Sequence, residues 1–310
     1  MSQVENALAL KNGALVAFPT ETVYGLGADA SNEKAVARIY EVKGRPQDHP
    51  LILHIASMDD ISYWATDVSD YAIALANKYW PGPMTLIFNR SENAKDFVTG
   101  GQDTVGLRVP NHALALELLQ ECKKIGVHAI AAPSANRFGH VSPTTAAAVQ
   151  EEISACLSAH DVIVDGGPAQ VGLESTIIDC TGDTPKILRP GAITKAMIEE
   201  ATGLEVSEDK DSQIRVSGSL EKHYAPNAKV ILDAQAIAGQ GFIAPADVAT
   251  PLGAIRLASP TNTDEYARTL YSALRDGDAR GLETIAIIQP SGDGLAIAIR
   301  DRLMRASKGR

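Results

Sequence analysis

Short apolar runs, each cut off by glycine, proline or a polar turn, constrain this chain most strongly. Residues 14–18 (ALVAF), 51–55 (LILHI), 84–88, 104–109 and 127–132 each have the length and apolar content of a buried strand. Helical patterns separate some of them. From Ser31 onward, Ala35, Val36, Ile39, Tyr40 and Val42 fall at helical spacing until Gly44 and Pro46 stop the run. Further helices are expected over 69–80, 111–124 and 193–201, and from the Ser142-Pro143 cap to about Leu157. The runs at 161–165, 175–180 and 186–188, however, follow one another with no helix between them. That spacing favours a mixed sheet over a strict βαβ repeat. The expected fold is α/β, an open twisted mixed sheet with helices packed on it. Residues 19–30 (PTETVYGLGADA) read as a long loop.

Residues 205–222 break the pattern, being polar with two serine-glycine steps. Strands are expected again near 229–232, 241–243, 254–258 and 284–288, with helices near 264–275 and 295–305. The chain therefore divides into a larger α/β domain (1–206), a linker (207–227) and a smaller α/β domain (228–310). Its 310 residues suit two domains.

The net charge is -10, and residues 1–206 carry all of it, with 15 basic against 25 acidic side chains. A general nucleic-acid binder would show the opposite balance. No run reaches the roughly 18 apolar residues of a membrane helix. The first residues lack a basic leader, and the three cysteines, Cys122, Cys156 and Cys180, have no pairing pattern. A cytoplasmic protein with reduced thiols is expected. Phosphate-loop and zinc-protease motifs are absent. Gly25-Leu26-Gly27 lies too far past its strand for a dinucleotide turn. No histidine pair has helical ligand spacing, so no protein-held metal is expected.

The positive features are cations and small polar groups at element ends. Lys43 and Arg45 stand at a helix exit, where cations also stabilise the helix terminus. Arg108 sits between Leu107 and Val109 and needs a carboxylate or phosphate partner if buried. Arg189 ends a strand, and His54 lies inside one. Ser134 and Asn136 follow a strand directly, where α/β sheets place ligands and where ordinary turns also occur. Four such cations in an acidic domain suggest a ligand with several negative groups, such as a nucleoside triphosphate.

Taken in order, FPTETVYGLGADA, KGRP before LILHI, GLRVP, APSAN, GLESTIID and LRPG are very similar to the motifs of the YrdC-type domain, over nearly all of residues 1–206. SGSLEKHYAP and the small domain after it resemble the two-domain form of the threonylcarbamoyl-AMP synthase family. The resemblance implies a nucleotidyltransferase that makes threonylcarbamoyl-adenylate from L-threonine, bicarbonate and ATP, releasing pyrophosphate, with Mg2+ bridging the phosphates. The product would pass to a tRNA threonylcarbamoyltransferase system. By the same resemblance, Lys43, Arg45, Ser134 and Asn136 are the catalytic set. Arg45, His49, Thr104, Ser134, Ser142, Arg189 and Tyr224 would line the nucleotide, and Thr22, His54, Arg108, Ala132 and Ser175 the threonine. His49 replaces an asparagine common in relatives. The linker is expected to fold over the cavity mouth and set Tyr224 beside the nucleotide. The basic tail, with five cations between Arg300 and Arg310, reads as a solvated helix end within reach of RNA. Two other readings stand beside this one: a double-stranded RNA or tRNA-binding module, and a carbamoyl-transfer enzyme of the hydrogenase-maturation type.

Overall fold

The computed structural model describes residues 2–207, 214–218 and 223–309. Strands β1 (Val16–Phe18), β2 (Gly25–Asp29), β3 (Ile52–His54), β4 (Ala65–Thr66), β5 (Met84–Arg90), β6 (Thr104–Arg108), β7 (Ile130–Ala131), β8 (Val162–Ile163), β9 (Thr176–Asp179) and β10 (Lys186–Arg189) form one large sheet. Its order is β10-β9-β5-β6-β3-β7-β2-β1-β8, with β4 on β5. The sheet is mixed: β3 runs parallel to β6 and β5 to β9, whereas β2 is antiparallel to both β1 and β7. This is the expected class. A second sheet, β11 (Lys229–Leu232), β12 (Gly241–Ile243), β13 (Ile255–Ala258) and β14 (Thr284–Ile287), is wholly parallel in the order β11-β14-β12-β13.

Helices α1 (Gln3–Lys11), α2 (Glu33–Lys43), α3 (Ile61–Trp64), α4 (Asp70–Tyr79), α5 (Asp96–Thr99), α6 (Ala113–Lys124), α7 (Ala146–Ile153) and α8 (Lys195–Thr202) belong to the first unit, and α9 (Thr263–Ala279) and α10 (Leu295–Ser307) to the second. Local chemistry sets their ends. Ser2 and Glu5 form a reciprocal capping box on α1. Asn32 caps α2, and Gly44 closes it in the left-handed region at φ 61°. That closure turns the chain so that Arg45 leaves α2 toward the sheet.

Two expectations need correction. Residues 19–30 are not one loop, because Gly25–Asp29 is a buried central strand. It escapes notice because it lacks β-branched residues. Its glycines are needed for packing: a Cβ on Gly27 would lie 2.5 Å from Ile130 Cγ2. Nor does a helix begin at Ser142. The Pro143 carbonyl accepts from the Tyr24 amide at 2.9 Å, and Thr145 caps α7 instead.

The main core lies under the large sheet around Leu53, Trp64, Leu75 and Phe88. A second core joins the two units, with Val23, Val141, Leu173 and Tyr224 packing with Tyr266, Leu270, Tyr271, Ile299 and Leu303. Gly172, at φ 80°, permits this approach, since a Cβ there would meet Arg268 Cα at 2.5 Å. Among the described residues, no helix is long and apolar enough to cross a membrane.

Candidate active site

The loop between β1 and β2, the start of the β3 segment, the end of β6, the turn after β7 and the segments flanking β9 and β10 meet around one small cavity. Its open volume is about 50 Å³. Thr22, Arg45, His54, Arg108, Ala132, Ser134, Ser175, Arg189 and Tyr224 all line it. Nine of the fourteen residues singled out from the sequence thus share one wall-to-wall space, although they come from positions 22 to 224.

The remaining five stand behind or beside it. Lys43 is 2% exposed and donates through Nζ to the carbonyl oxygens of Ser134, at 2.6 Å, and of Asn136. It meets the cavity only through the 134–136 turn. Burial and the neighbouring Arg45 cation hold its pKa well below the ordinary lysine value. The Asn136 amide donates to the carbonyls of Arg137 and His140, so it braces the same turn. The Ser142 hydroxyl donates to Glu174 at 2.6 Å. His49 packs edge-on against Phe138, and Thr104 lines a separate crevice beside Ile214 and Val216.

Arg108 has the acidic partner that its burial demands, and that partner comes from the chain. Its Nη2 lies 2.8 Å from a Glu21 carboxylate oxygen and donates to Thr22 Oγ1 at 2.9 Å. The Arg189 guanidinium donates through Nε and Nη2 to the Ser175 carbonyl at 3.1 and 2.9 Å, and from Nη2 to the Ser175 hydroxyl at 3.1 Å. Ser175 Oγ in turn lies 2.8 Å from Thr85 Oγ1. These bonds fix the strand ends that carry the two residues.

The linker reaches the cavity. Ser217, Gly218, His223 and Tyr224 line it. Arg45 Nη2 donates to Ser217 Oγ at 3.1 Å, and Arg189 Nη1 to the Ser217 carbonyl at 2.7 Å. Tyr224 is buried at φ 62°, a strained conformation for a tyrosine. The rest of the expected cover, residues 208–213 and 219–222, lies outside the described residues.

Several polar atoms here are buried without a hydrogen-bond partner: Arg45 Nε, His54 Nδ1, Arg108 Nε, His223 Nδ1 and the Tyr224 hydroxyl. Such orphans are rare in folded proteins, and a polar ligand or water in the cavity would satisfy them. Burial, with Arg108 beside it, pushes His54 down to about 3, and burial also brings His223 to about 3, so both rings are neutral near pH 7. Burial brings Arg45 down to about 10. The carboxylates on or behind the wall are already engaged, Glu21 by Arg108 and Glu174 by Ser142 and two second-domain residues, Tyr271 and Arg302. Among the described residues, no cluster of three histidine, cysteine or acidic side chains could hold a metal. A divalent ion here would be held by phosphate oxygens and water.

Sequence reasoning missed Glu21, Glu174, Ser217, Tyr271 and Arg302. For Glu21 a signal existed, since a buried arginine calls for an acid. The basic tail was misread: Arg302 is fully buried, and Arg305 pairs with Asp301 at 3.0 Å.

Comparison with known proteins adds independent findings. A family model described as "Telomere recombination" (Sua5_yciO_yrdC) matches residues 8–191, and one described as "Threonylcarbamoyl-AMP synthase, C-terminal domain" matches residues 193–308. The threonylcarbamoyl-AMP synthase of Pyrococcus abyssi is 39% identical over 318 residues, covering 96% of this chain and 92% of that one. That of Bacillus subtilis is 38% identical, covering 99% and 94%. The crystal structure of P. abyssi Sua5 complexed with L-threonine superposes with a TM-score of 0.87 at 36% identity, covering 99% of this chain and 94% of that one. A full-length HypF structure matches at 17% identity and TM-score 0.52 over 61% of this chain, a likeness of fold alone.

Proposed function

The chain belongs to the Sua5/YciO/YrdC family, in its two-domain threonylcarbamoyl-AMP synthase form, and from that premise we propose how its residues carry out the synthesis. It is an enzyme, and its product is threonylcarbamoyl-AMP, a precursor for threonylcarbamoyladenosine in tRNA. The substrates are L-threonine, bicarbonate and ATP. The observation that carries the residue assignment is the convergence of Arg45, Arg108 and Arg189 on one cavity of an acidic chain.

The chemistry needs positioning and charge neutralisation more than a protein nucleophile. Threonine's amine takes up CO2, derived from bicarbonate, as a carbamate and releases a proton. A carbamate oxygen then attacks the α-phosphorus of ATP, and pyrophosphate leaves in line. Arg108 offers its unpartnered Nε to the threonine carboxylate while Glu21 and Thr22 hold its other end. Neutral His54, Thr22 and Ser175 complete the amino-acid side, with Ala132 giving an apolar contact. Arg45 and Arg189 face the phosphates, and Ser134 with Tyr224 lines the nucleotide. Lys43 and Asn136 act by holding the 134–136 turn. Mg2+, when bound to ATP, neutralises phosphate charge.

A 50 Å³ cavity cannot admit ATP, since ligand pockets run from about 300 Å³ upward. Ser217 occupies donors of both Arg45 and Arg189. The 217–218 segment therefore behaves as a strap that ATP displaces from the two guanidinium groups. Closure of the linker over bound substrates would then shield the adenylate from water. Incubation with ATP, threonine and bicarbonate, with each omitted in turn, tests this reading. Pyrophosphate appears only in the complete mixture if it holds, and ATP turnover indifferent to threonine refutes it.

A further inference from the structure

One buried carboxylate joins the two domains inside the site. Glu174 lies on the cavity wall, immediately before Ser175. It accepts from Ser142 Oγ at 2.6 Å, from the Tyr271 hydroxyl at 2.9 and 3.2 Å, and from Arg302 Nε at 2.8 Å. Tyr271 belongs to α9 and Arg302 to α10, and both are fully buried.

A buried ion pair is by itself weak evidence for stability, because apolar residues of similar volume often serve as well. What sets this one apart is where its contacts end. Arg302 Nη2 donates to the Pro190 carbonyl at 2.9 Å, next to Arg189. The Arg302 guanidinium lies 5.3 Å from the Tyr224 ring centre, and the Tyr271 ring stacks on Tyr224 at 5.9 Å. Arg302 also bonds Asp301 on its own helix, but the contacts to Glu174, Pro190 and Tyr224 each terminate on a segment that presents a cavity group: Ser175, Arg189 or Tyr224. A catalytic site tolerates misplacement of only about 0.5–1 Å, so such bracing matters for rate and binding.

We infer that Tyr271 and Arg302 are positioning residues of the active site, and that the second domain, through Glu174, Pro190 and Tyr224, sets the nucleotide side of the cavity. This deepens the reading above, since it rests on Arg189 and Tyr224 facing ATP. The second domain is then a working part of the catalytic unit. On the threonine side only Ser175 adjoins this tie; Arg108, which carries the carboxylate contact, is held instead by Glu21 and Thr22.

Tyr271→Phe removes one hydroxyl and keeps the ring on Tyr224. Arg302→Lys keeps the charge but cannot bond Glu174 and Pro190 together with the arginine's geometry. In both full-length variants the KM for ATP should rise by about tenfold, the scale of one lost hydrogen bond to a charged group. The KM for threonine, whose carboxylate contact at Arg108 is held by Glu21 and Thr22, should rise by no more than about twofold. Calorimetry with ATP alone should show the same loss of affinity. A purely structural tie would lower kcat or the melting temperature and leave both KM values alone, and that result overturns the inference. Should Arg302→Lys fail to fold, Tyr271→Phe decides the matter. Wild-type protein that releases no pyrophosphate sinks the parent reading. Active wild-type protein with unchanged ATP affinity in folded Tyr271→Phe sinks only this inference.

Discussion

Replacing Arg108 by lysine separates substrate recognition from folding more cleanly than truncation does. Arg108 is 4% exposed and its Glu21 partner 3%. Arg108→Ala would strand the Glu21 carboxylate in the interior, at about 3–5 kcal/mol, and confuse lost binding with lost fold. Lysine keeps a cation for Glu21. It cannot also bond Thr22 and present a further donor in the fixed fork that arginine provides. The expected loss is one charged hydrogen bond to the threonine carboxylate, about 1.5–3 kcal/mol, or roughly 10- to 150-fold in threonine affinity. ATP affinity should hold, because Arg45 and Arg189 are untouched. Calorimetry with each substrate separately reads both quantities, and a melting curve checks the fold. Wild-type threonine affinity in a folded Arg108→Lys protein would show that Glu21 is the whole of this arginine's business.

Arg45→Ala should slow synthesis by about tenfold or more in a steady-state pyrophosphate assay, as loss of a cation facing transferring phosphate does. Lys43→Ala should slow it similarly, but by loosening the 134–136 turn, so its threonine and ATP KM values should both rise. Ser217→Ala removes a competitor for Arg45 and should tighten ATP binding by about tenfold, the scale of one hydrogen bond to a charged group, as read by calorimetry. His54 and His223 titrate near 3 in the fold against 6.5 unfolded, so the unfolded chain takes up protons first as pH falls. Their contribution is complete above pH 6.5 and is lost toward pH 3. Melting temperature should therefore drop between pH 6.5 and 4.5, before Glu174 begins to add to the loss, and His54→Gln should flatten that slope. An unchanged slope in the variant would place the acid sensitivity elsewhere.

What the sequence disclosed follows from what each residue's neighbours in the chain could reveal. Strands such as Ile52–His54 and Met84–Arg90 announce themselves through apolar runs with clear stops. The Gly25–Asp29 strand does not, since it is held by the fit of Phe18 and Ile130 against its glycines, and that fit exists only in three dimensions. The cations were visible one by one, and a buried arginine such as Arg108 carries its own demand for a partner. Which acid answers is another matter. Glu21 lies 87 residues from Arg108, and Glu174 lies 128 from Arg302. Tail residues between Arg300 and Arg310 look like solvated charge because only packing of α10 on the first unit reveals that Arg302 points inward.

The most direct test of the account is the fate of a labelled carbon. Protein incubated with ATP, L-threonine and 13C-bicarbonate is quenched, and the nucleotides are separated and weighed by mass spectrometry. The account requires an AMP-linked species that contains threonine and carries the label, with pyrophosphate released in equal amount. Conversion of ATP to ADP and phosphate at the same rate with and without threonine, and no labelled adenylate, would contradict it.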